Sequence, residues 1–404
     1  ICSDAAGHLN GCQENYETTV AFGLWLIVYR MAILFLWTMQ WVSVILSFPL
    51  LAATVVLARM IRASRGQFSS ERPEDLFASL PRFVRRVLSF WMKILHFPTG
   101  WMLGVVARRI AFRRQRKYLT ALLVSRVCLC GTGDLAADGR YRLSAKAMAT
   151  DALSGIGPRA GQRPIYVFGH WWNQLCADSF VSIGATRDLL RKKQRLQIAL
   201  SDSNLSEWAE YVKLGSVSLV LDMIEAGATT NSLRLKYPVK ALHAITADWN
   251  LVRRVQTNRG KLSALESEQI IERWRELLQS ARAFRKEARA VTPALGRLDW
   301  LSKRWLIDQL GSDASAAAKK KVDLRYHELS SDWYYFRIAA KDSSLSLVDP
   351  DLLKRRRRMP PSNTPAAKRG RLIREFATES GSSNVDWDHA LLDDGQQKRR
   401  IRYK

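Results

Sequence analysis

Residues 201–227 read SDSNLSEWAEYVKLGSVSLVLDMIEAG. From Leu205 to Ile224 the apolar residues recur at helical spacing, and Gly227 is placed to stop that helix. Just upstream, Leu196–Leu200 is a short apolar run of strand type, and Pro164–Phe168 is another. Leu122–Leu129 (LLVSRVCL) reads as a buried strand ended by the turn-former Gly131-Thr132-Gly133. Downstream, Ser263 with Glu266 makes a capping box for a helix running to about Phe284. A further helix starts near Pro293 and carries Leu298, Trp300, Leu301, Trp305 and Leu306. Gly311–Lys321 reads as a small-residue linker. Short strands mixed with long helices predict an α+β fold, not a doubly wound parallel sheet. No internal repeat is visible.

The chain has 404 residues, enough for two or three packed domains. With 47% hydrophobic and 25% charged residues it is neither disordered nor collagen-like. Lys and Arg number 63 against 37 Asp and Glu, a net +26 that favours an anionic partner. The excess is local. Residues 21–118 hold 15 basic and 3 acidic side chains, and residues 354–404 hold 14 and 6. That unevenness argues against a general nucleic-acid binder. Five cysteines, an odd count in a long chain, read as reduced and intracellular. The chain opens mid-pattern at Ile1, so further residues are expected upstream.

The run Met31–Leu57 has no charged residue over 27 positions. That exceeds the ~20 residues needed to span a bilayer core, and Trp25, Trp37 and Trp41 suit an interface. A second stretch, Val87–Ala107, is interrupted by Lys93 and Pro98. Arginines flank both. A helical hairpin, a re-entrant or interfacial arrangement, and a hairpin packed on protein are the alternatives.

Common chemical motifs are scarce. There is no phosphate-cradling glycine loop and no pair of CxxC motifs. Cys128 and Cys130 read as buried structural thiols ahead of metal ligands. His170, beside Trp171 and Trp172, reads first as a packed histidine, with a ligand or base role as the alternative.

Several blocks, in order, carry a resemblance. Gly11-Cys12-Gln13-Glu14-Asn15-Tyr16 resembles a "GCHENY" strand, and residues 201–227 resemble a "GDSNMSE…LKVGTxALVLxMIExG" block. ALHAITAD (241–248), LSALESEQ (262–269), LDWLSKRWL (298–306), VDLRYHEL (322–329) and VDW (385–387) follow. Together they resemble the Pup–protein ligase and depupylase family, the proteasome accessory factors of the glutamine-synthetase-like superfamily.

The resemblance implies a curved antiparallel sheet cradling ATP and Mg2+, backed by helices, with a small C-terminal domain. On that pattern residues 1–20 and 119–322 form the catalytic domain. Residues 21–118 form a membrane-associating insert, and 323–404 a small C-terminal domain with a basic tail. The resemblance carried by residues 11–16 and 201–227 also implies that residues 11–16 and 121–131 share one sheet, so the segment between them crosses a membrane an even number of times or not at all. The implied activity is ATP-dependent attachment of Pup, a small acidic protein, to substrate lysines in the proteasomal degradation pathway. A depupylase, or a catalytically impaired membrane-bound interaction protein, is the alternative. The VDW…LLDD ending (385–394) is closer to the ligases, and Leu221–Glu225 closer to the depupylases.

The resemblance also places site residues. Trp387 matches the tryptophan that contacts ATP. Lys146 stands where the family has an arginine, keeping the charge without the bidentate fork. Arg195 falls in a stretch that can face phosphate. Gln13 and Gln197 occupy positions of histidines that organise the metal site, and glutamine is the poorer ligand. Residues 167–178 (VFGHWWNQLCAD) depart from the family pattern except at Ala177-Asp178. The catalytic aspartate and metal carboxylates of the family are expected before Ile1. Lys354–Arg358 and Lys398–Arg400 can receive acidic Pup, or are solvated charge runs. Anionic lipids are the further partner expected for the insert, and the expected location is the cytoplasmic membrane face.

Overall fold

A computed structural model of the chain describes residues 11–64, 80–157, 161–177, 183–227, 234–251, 255–257, 295–329 and 334–340. It also describes 345–347, 349–359, 362, 367, 370–371, 382–385, 389–393 and 398–402. The strand pair that organises the fold is β1 (Cys12–Thr19) against β6 (Lys193–Ser201), antiparallel with Asn15 opposite Gln197 and Glu17 opposite Arg195. β6 also pairs antiparallel with β5 (Pro164–Val167), and β5 pairs parallel with β4 (Ala152–Gly155). The order is β1-β6-β5-β4, so the sheet is mixed at one edge where an antiparallel cradle was expected. β2 (Asp134–Leu135) and β3 (Tyr141–Arg142) make a separate short hairpin.

The long apolar segment forms α1 (Leu24–Ser64), and Arg82–Val105 forms α2, continued by a π turn, Val106–Ile110. The helices that complete the first body are α3 (Arg113–Ser125), α4 (Glu207–Glu225), α5 (Pro238–Ala247), α6 (Asp299–Asp308) and α7 (Ala316–Arg325). Leu119 and Leu123 of α3, Val217 and Leu221 of α4, and Tyr166, Leu196 and Ile198 of the sheet share one buried core. By compactness the chain divides into residues 1–340 and 341–404. The second unit holds the helix Pro350–Arg358 and an antiparallel meander of β7 (Ser382–Val385), β8 (His389–Asp393) and β9 (Lys398–Arg402).

Two local expectations are corrected. Leu122–Leu129 is not a strand: it ends α3 and enters one turn, Val127–Cys130, so residues 121–131 do not join the sheet. A short apolar run fits a buried helix as well as a buried strand. Here the basic residues Arg113–Lys117 extend it backwards into a helix long enough to pack. Gly311–Lys321 is not merely a linker, because α7 begins inside it. Ser315 caps α7 by accepting from Ala318 N at 3.2 Å, and its Ala/Lys-rich composition favours helix. The capping box at Ser263 lies outside the described residues.

Residues 201–206 turn the chain from β6 into α4 by satisfying buried polar groups. Asp202 Oδ2 accepts from Thr132 N (3.0 Å), and Asn204 Nδ2 donates to Cys130 O (3.0 Å). Asp299, fully buried, accepts from Asn204 Nδ2 (2.9 Å), Leu205 N (3.1 Å), Ser206 N (3.2 Å) and Tyr326 OH (2.8 Å). Lys213 Nζ, on the second turn of α4, donates to Asp202 O (3.0 Å) and Asn204 Oδ1 (3.1 Å). Each buried donor or acceptor left unmade here would cost ~1–3 kcal/mol. Ser206 accepts from Ala209 N as N-cap, and the helix stops before Gly227, at φ +76°.

Candidate functional site

Alternation along β1 puts Gln13, Asn15 and Glu17 on one face and Glu14, Tyr16 and Thr18 on the other. The second set is anchored. Glu14, 3% exposed, is gripped at both carboxylate oxygens by Arg126, itself 3% exposed. Tyr16 OH donates to Glu14 Oε2 (2.5 Å), and Arg126 also donates to Ser201 Oγ (2.8 Å) and Lys213 O (2.9 Å). The arrangement ties β1, β6, α3 and α4 together, so the face bearing Gln13 is rigid.

On that open face Gln197 Nε2 donates to Gln13 Oε1, and Arg195 Nε donates to Asn15 Oδ1 at 2.7 Å. His170 lies beside Gln197 and Arg195. Burial, reinforced by the Arg195 charge, lowers its pKa to about 4, so it is neutral. Lys146, on the short helix Ala145–Met148, rests over Gly11: its Cδ is 3.0 Å from where a Cβ would stand. The structure thus brings Gln13, Gln197 and Arg195 together and puts Lys146 by the end of β1. Trp387 lies outside the described residues. Asn15 was missed in the sequence; the period-two pattern from Gln13 was the signal for it.

The donors on this face are amide oxygens and an exposed Glu17, with a guanidinium among them. Mg2+ prefers carboxylate and water oxygens in an octahedron. Among the described residues no group of three or more His, Cys, Asp or Glu is placed to hold a metal. These residues do not fit a magnesium site by themselves. Arg195 and Lys146 are cations of the type that holds phosphate. Burial pushes the Cys128 and Cys130 thiols up to about 12, which fits inert structural thiols.

The altered stretch 167–178 has a packing explanation. Trp171 is fully buried among Phe168, Phe112 and Tyr29 of α1, with ring centroids 4.9, 6.1 and 5.6 Å away. Trp172 lies against α2 at Gly100, where a Cβ would come within 3.0 Å of its ring. Tyr29 OH donates to Leu189 O (2.9 Å) and Arg30 Nε to Leu190 O (3.1 Å). The aromatic residues of this stretch seat the foot of the helical hairpin on the sheet-bearing body.

The body built from this sheet and its helices has the fold of solved Pup ligase structures. The Pup ligase PafA in complex with ADP matches with a TM-score of 0.56 at 17% identity, covering 99% of this chain and 71% of that one. The ligase in the complex between Pup and PafA matches with a TM-score of 0.52 at 19% identity, covering 73% and 63%. The sequence profile of the Pup-ligase protein family matches residues 2–269 and 261–391, and the chain belongs to that family. A Pup–protein ligase of Acidimicrobium ferrooxidans is 31% identical over 232 residues, 51% of this chain and 50% of the relative. One of Pseudarthrobacter chlorophenolicus is 29% identical over 327 residues, 72% and 66%. The chain therefore spans half to about two thirds of the length of these curated relatives.

Proposed function

We propose that this chain acts in ATP-dependent ligation of Pup to protein lysines. The observation that carries the reading is the family match over residues 2–391, joined to a rigid polar face bearing Arg195. Relatives named as Pup–protein ligases favour ligation over depupylation. ATP would supply the phosphoryl group that turns a carboxylate into an acyl phosphate, leaving ADP, and a lysine amine would attack the acyl carbon and expel inorganic phosphate. In this chain Arg195, oriented by Asn15, and Lys146 are the cations offered to phosphate oxygens. Mg2+ belongs to the reaction, with ligands beyond the described face. The location is cytoplasmic.

The insert anchors this activity to a membrane. Its two ends meet, because Phe112 N donates to Val20 O at 2.7 Å, so both lie on one side of any bilayer. Above its foot the hairpin buries polar groups beside Val44 and Leu88 and leaves many apolar residues outside. Ser43 Oγ donates to Leu95 O (3.0 Å), Gln40 Oε1 meets His96 Nδ1 (3.3 Å), and Ser47 and Thr99 are fully buried. Outward, Ile45, Phe48 and Phe97 are 63%, 66% and 69% exposed. Membrane helices pack in this inverted way. Leu24–Ile61 is long and apolar enough to cross a bilayer. Residues 94–107 of the return arm reach only ~21 Å before meeting a charge, short of a ~30 Å core, so with both ends on one side the whole hairpin dips into one face and neither arm crosses fully.

The test is a conjugation assay with the full chain, Pup, ATP and a lysine-bearing protein. Isopeptide product and ADP are expected. Arg195→Ala, at an exposed position, should keep the fold and weaken ATP binding by about tenfold or more. No nucleotide binding by calorimetry and no conjugate would leave the interaction-protein reading instead.

A further inference from the structure

Seven cations line one groove of about 690 Å³ at the foot of the hairpin. Arg108 and Arg109 come from the π turn, Arg113, Arg114, Arg116 and Lys117 from the start of α3, and Arg234 from the segment before α5. Among the described residues no carboxylate lines the groove. Among the described residues none of the seven makes a salt bridge. None of Gln13, Lys146, Arg195 and Gln197 lines it, so it is separate from the face described above.

Three of the cations are held in place by groups that leave N–H donors unspent. The Arg113 guanidinium stacks over Trp25 at 4.0 Å, and Arg114 over Phe22 at 4.5 Å. Stacking fixes the plane of a guanidinium and leaves its N–H edge for a partner. Arg116 donates to Arg108 O at 2.6 Å, while its Nε is buried without a hydrogen-bond partner. Burial and, more weakly, the Arg113 charge lower the Arg116 pKa to about 10, so an anion beside it would be welcome. Like charges gathered this closely repel one another, and a phosphate with several acceptor oxygens answers many forks at once.

The other wall identifies the source of that phosphate. Trp25, 45% exposed, stands in the first turn of α1, directly ahead of the charge-free run, and Phe22 and Ile110 continue the apolar side. A ligand with phosphate at the arginines and hydrocarbon along the exposed face of α1 fits both walls. We propose that this groove holds the phosphate headgroup of an anionic phospholipid at the foot of the hairpin. The proposal rests on the membrane anchoring argued above.

The experiment is cell-free synthesis of the full chain with phosphatidylcholine vesicles, or with vesicles doped with phosphatidylglycerol, followed by flotation. Capture by phosphatidylcholine alone reports the hairpin; the extra capture by phosphatidylglycerol reports the groove. Wild type should prefer the anionic vesicles, with the preference falling as salt rises. Arg113→Gln with Arg114→Gln should lower anionic capture by about fivefold per charge removed, leaving phosphatidylcholine capture unchanged. An unchanged preference in that variant, or an equal loss on both vesicles, overturns the groove. Loss of the preference to competing pyrophosphate or to an acidic peptide, each at micromolar concentration, assigns the groove to a soluble anion or a protein and overturns the lipid. No flotation with either vesicle would instead refute the membrane anchoring.

Discussion

Glu14→Gln should destabilise the protein more than its size suggests. The substitution keeps the shape and removes one charge, leaving the Arg126 guanidinium buried at 3% exposure without a counter-ion. Arg126 Nη1 lies 3.0 Å from Glu14 Oε2. At that separation and an effective dielectric near 20, the attraction is about 5 kcal/mol. Part of it only offsets desolvation, and breaking one partner of a buried pair typically costs ~3–5 kcal/mol. That is a large part of the ~5–15 kcal/mol by which domains are stable. The assay is urea unfolding in mild detergent, followed by fluorescence of the buried Trp171 and Trp300. Glu14→Gln and Arg126→Met should each lower the midpoint sharply. The double variant should recover much of the loss, because no lone charge remains. If Glu14→Gln shifts the midpoint no more than an exposed substitution such as Glu17→Gln, the pair does not hold β1 and the account of the rigid face is wrong.

Acid should destabilise the fold through two histidines. Burial lowers His170 to about 4 and His327 to about 2, each below the ordinary 6.5. The native state keeps both neutral, so their contribution is full above pH 6.5 and is lost as pH falls, at ~1.4 kcal/mol per unit for each. For His170 the loss ends near pH 4, after about 3 kcal/mol. Buried Asp202 and Asp299 have raised values and act oppositely, so the histidine share is read as wild type minus His170→Gln or His327→Gln. A parallel pH profile in these variants would show that the imidazoles are not buried neutral. The hairpin should be separable above its foot. Gln40 and His96 touch, so replacing residues 41–95 with a short Gly/Ser turn keeps Tyr29, Ile33, Leu36 and Leu103 in the core. The trimmed protein should stay soluble without detergent and remain folded, while the intact chain should resist a high-salt wash of membranes. An intact chain in the soluble fraction would refute the anchor.

The sequence by itself determined the elements whose signal is local. Helical periodicity from Leu205 to Ile224 made α4, with Gly227 marking its end. The family resemblance at Gly11–Tyr16 carried the strand β1, and the charge-free Met31–Leu57 became the core of α1. Only the tertiary structure decided what those elements meet. LLVSRVCL packs as helix in a core shared with the sheet, and Arg126, just past the end of α3, meets Glu14, Ser201 and Lys213, partners 112, 75 and 87 positions away. The departure at 167–178 had no local reason; its tryptophans pack on a hairpin that begins well over a hundred residues earlier. The Gln13–Gln197 and Asn15–Arg195 contacts likewise depend on the register of β1 against β6, and a slip of one residue would send every one of these side chains to the other face. Propensity and periodicity are properties of a window, whereas charge compensation, aromatic packing and register are settled between segments that only folding makes neighbours.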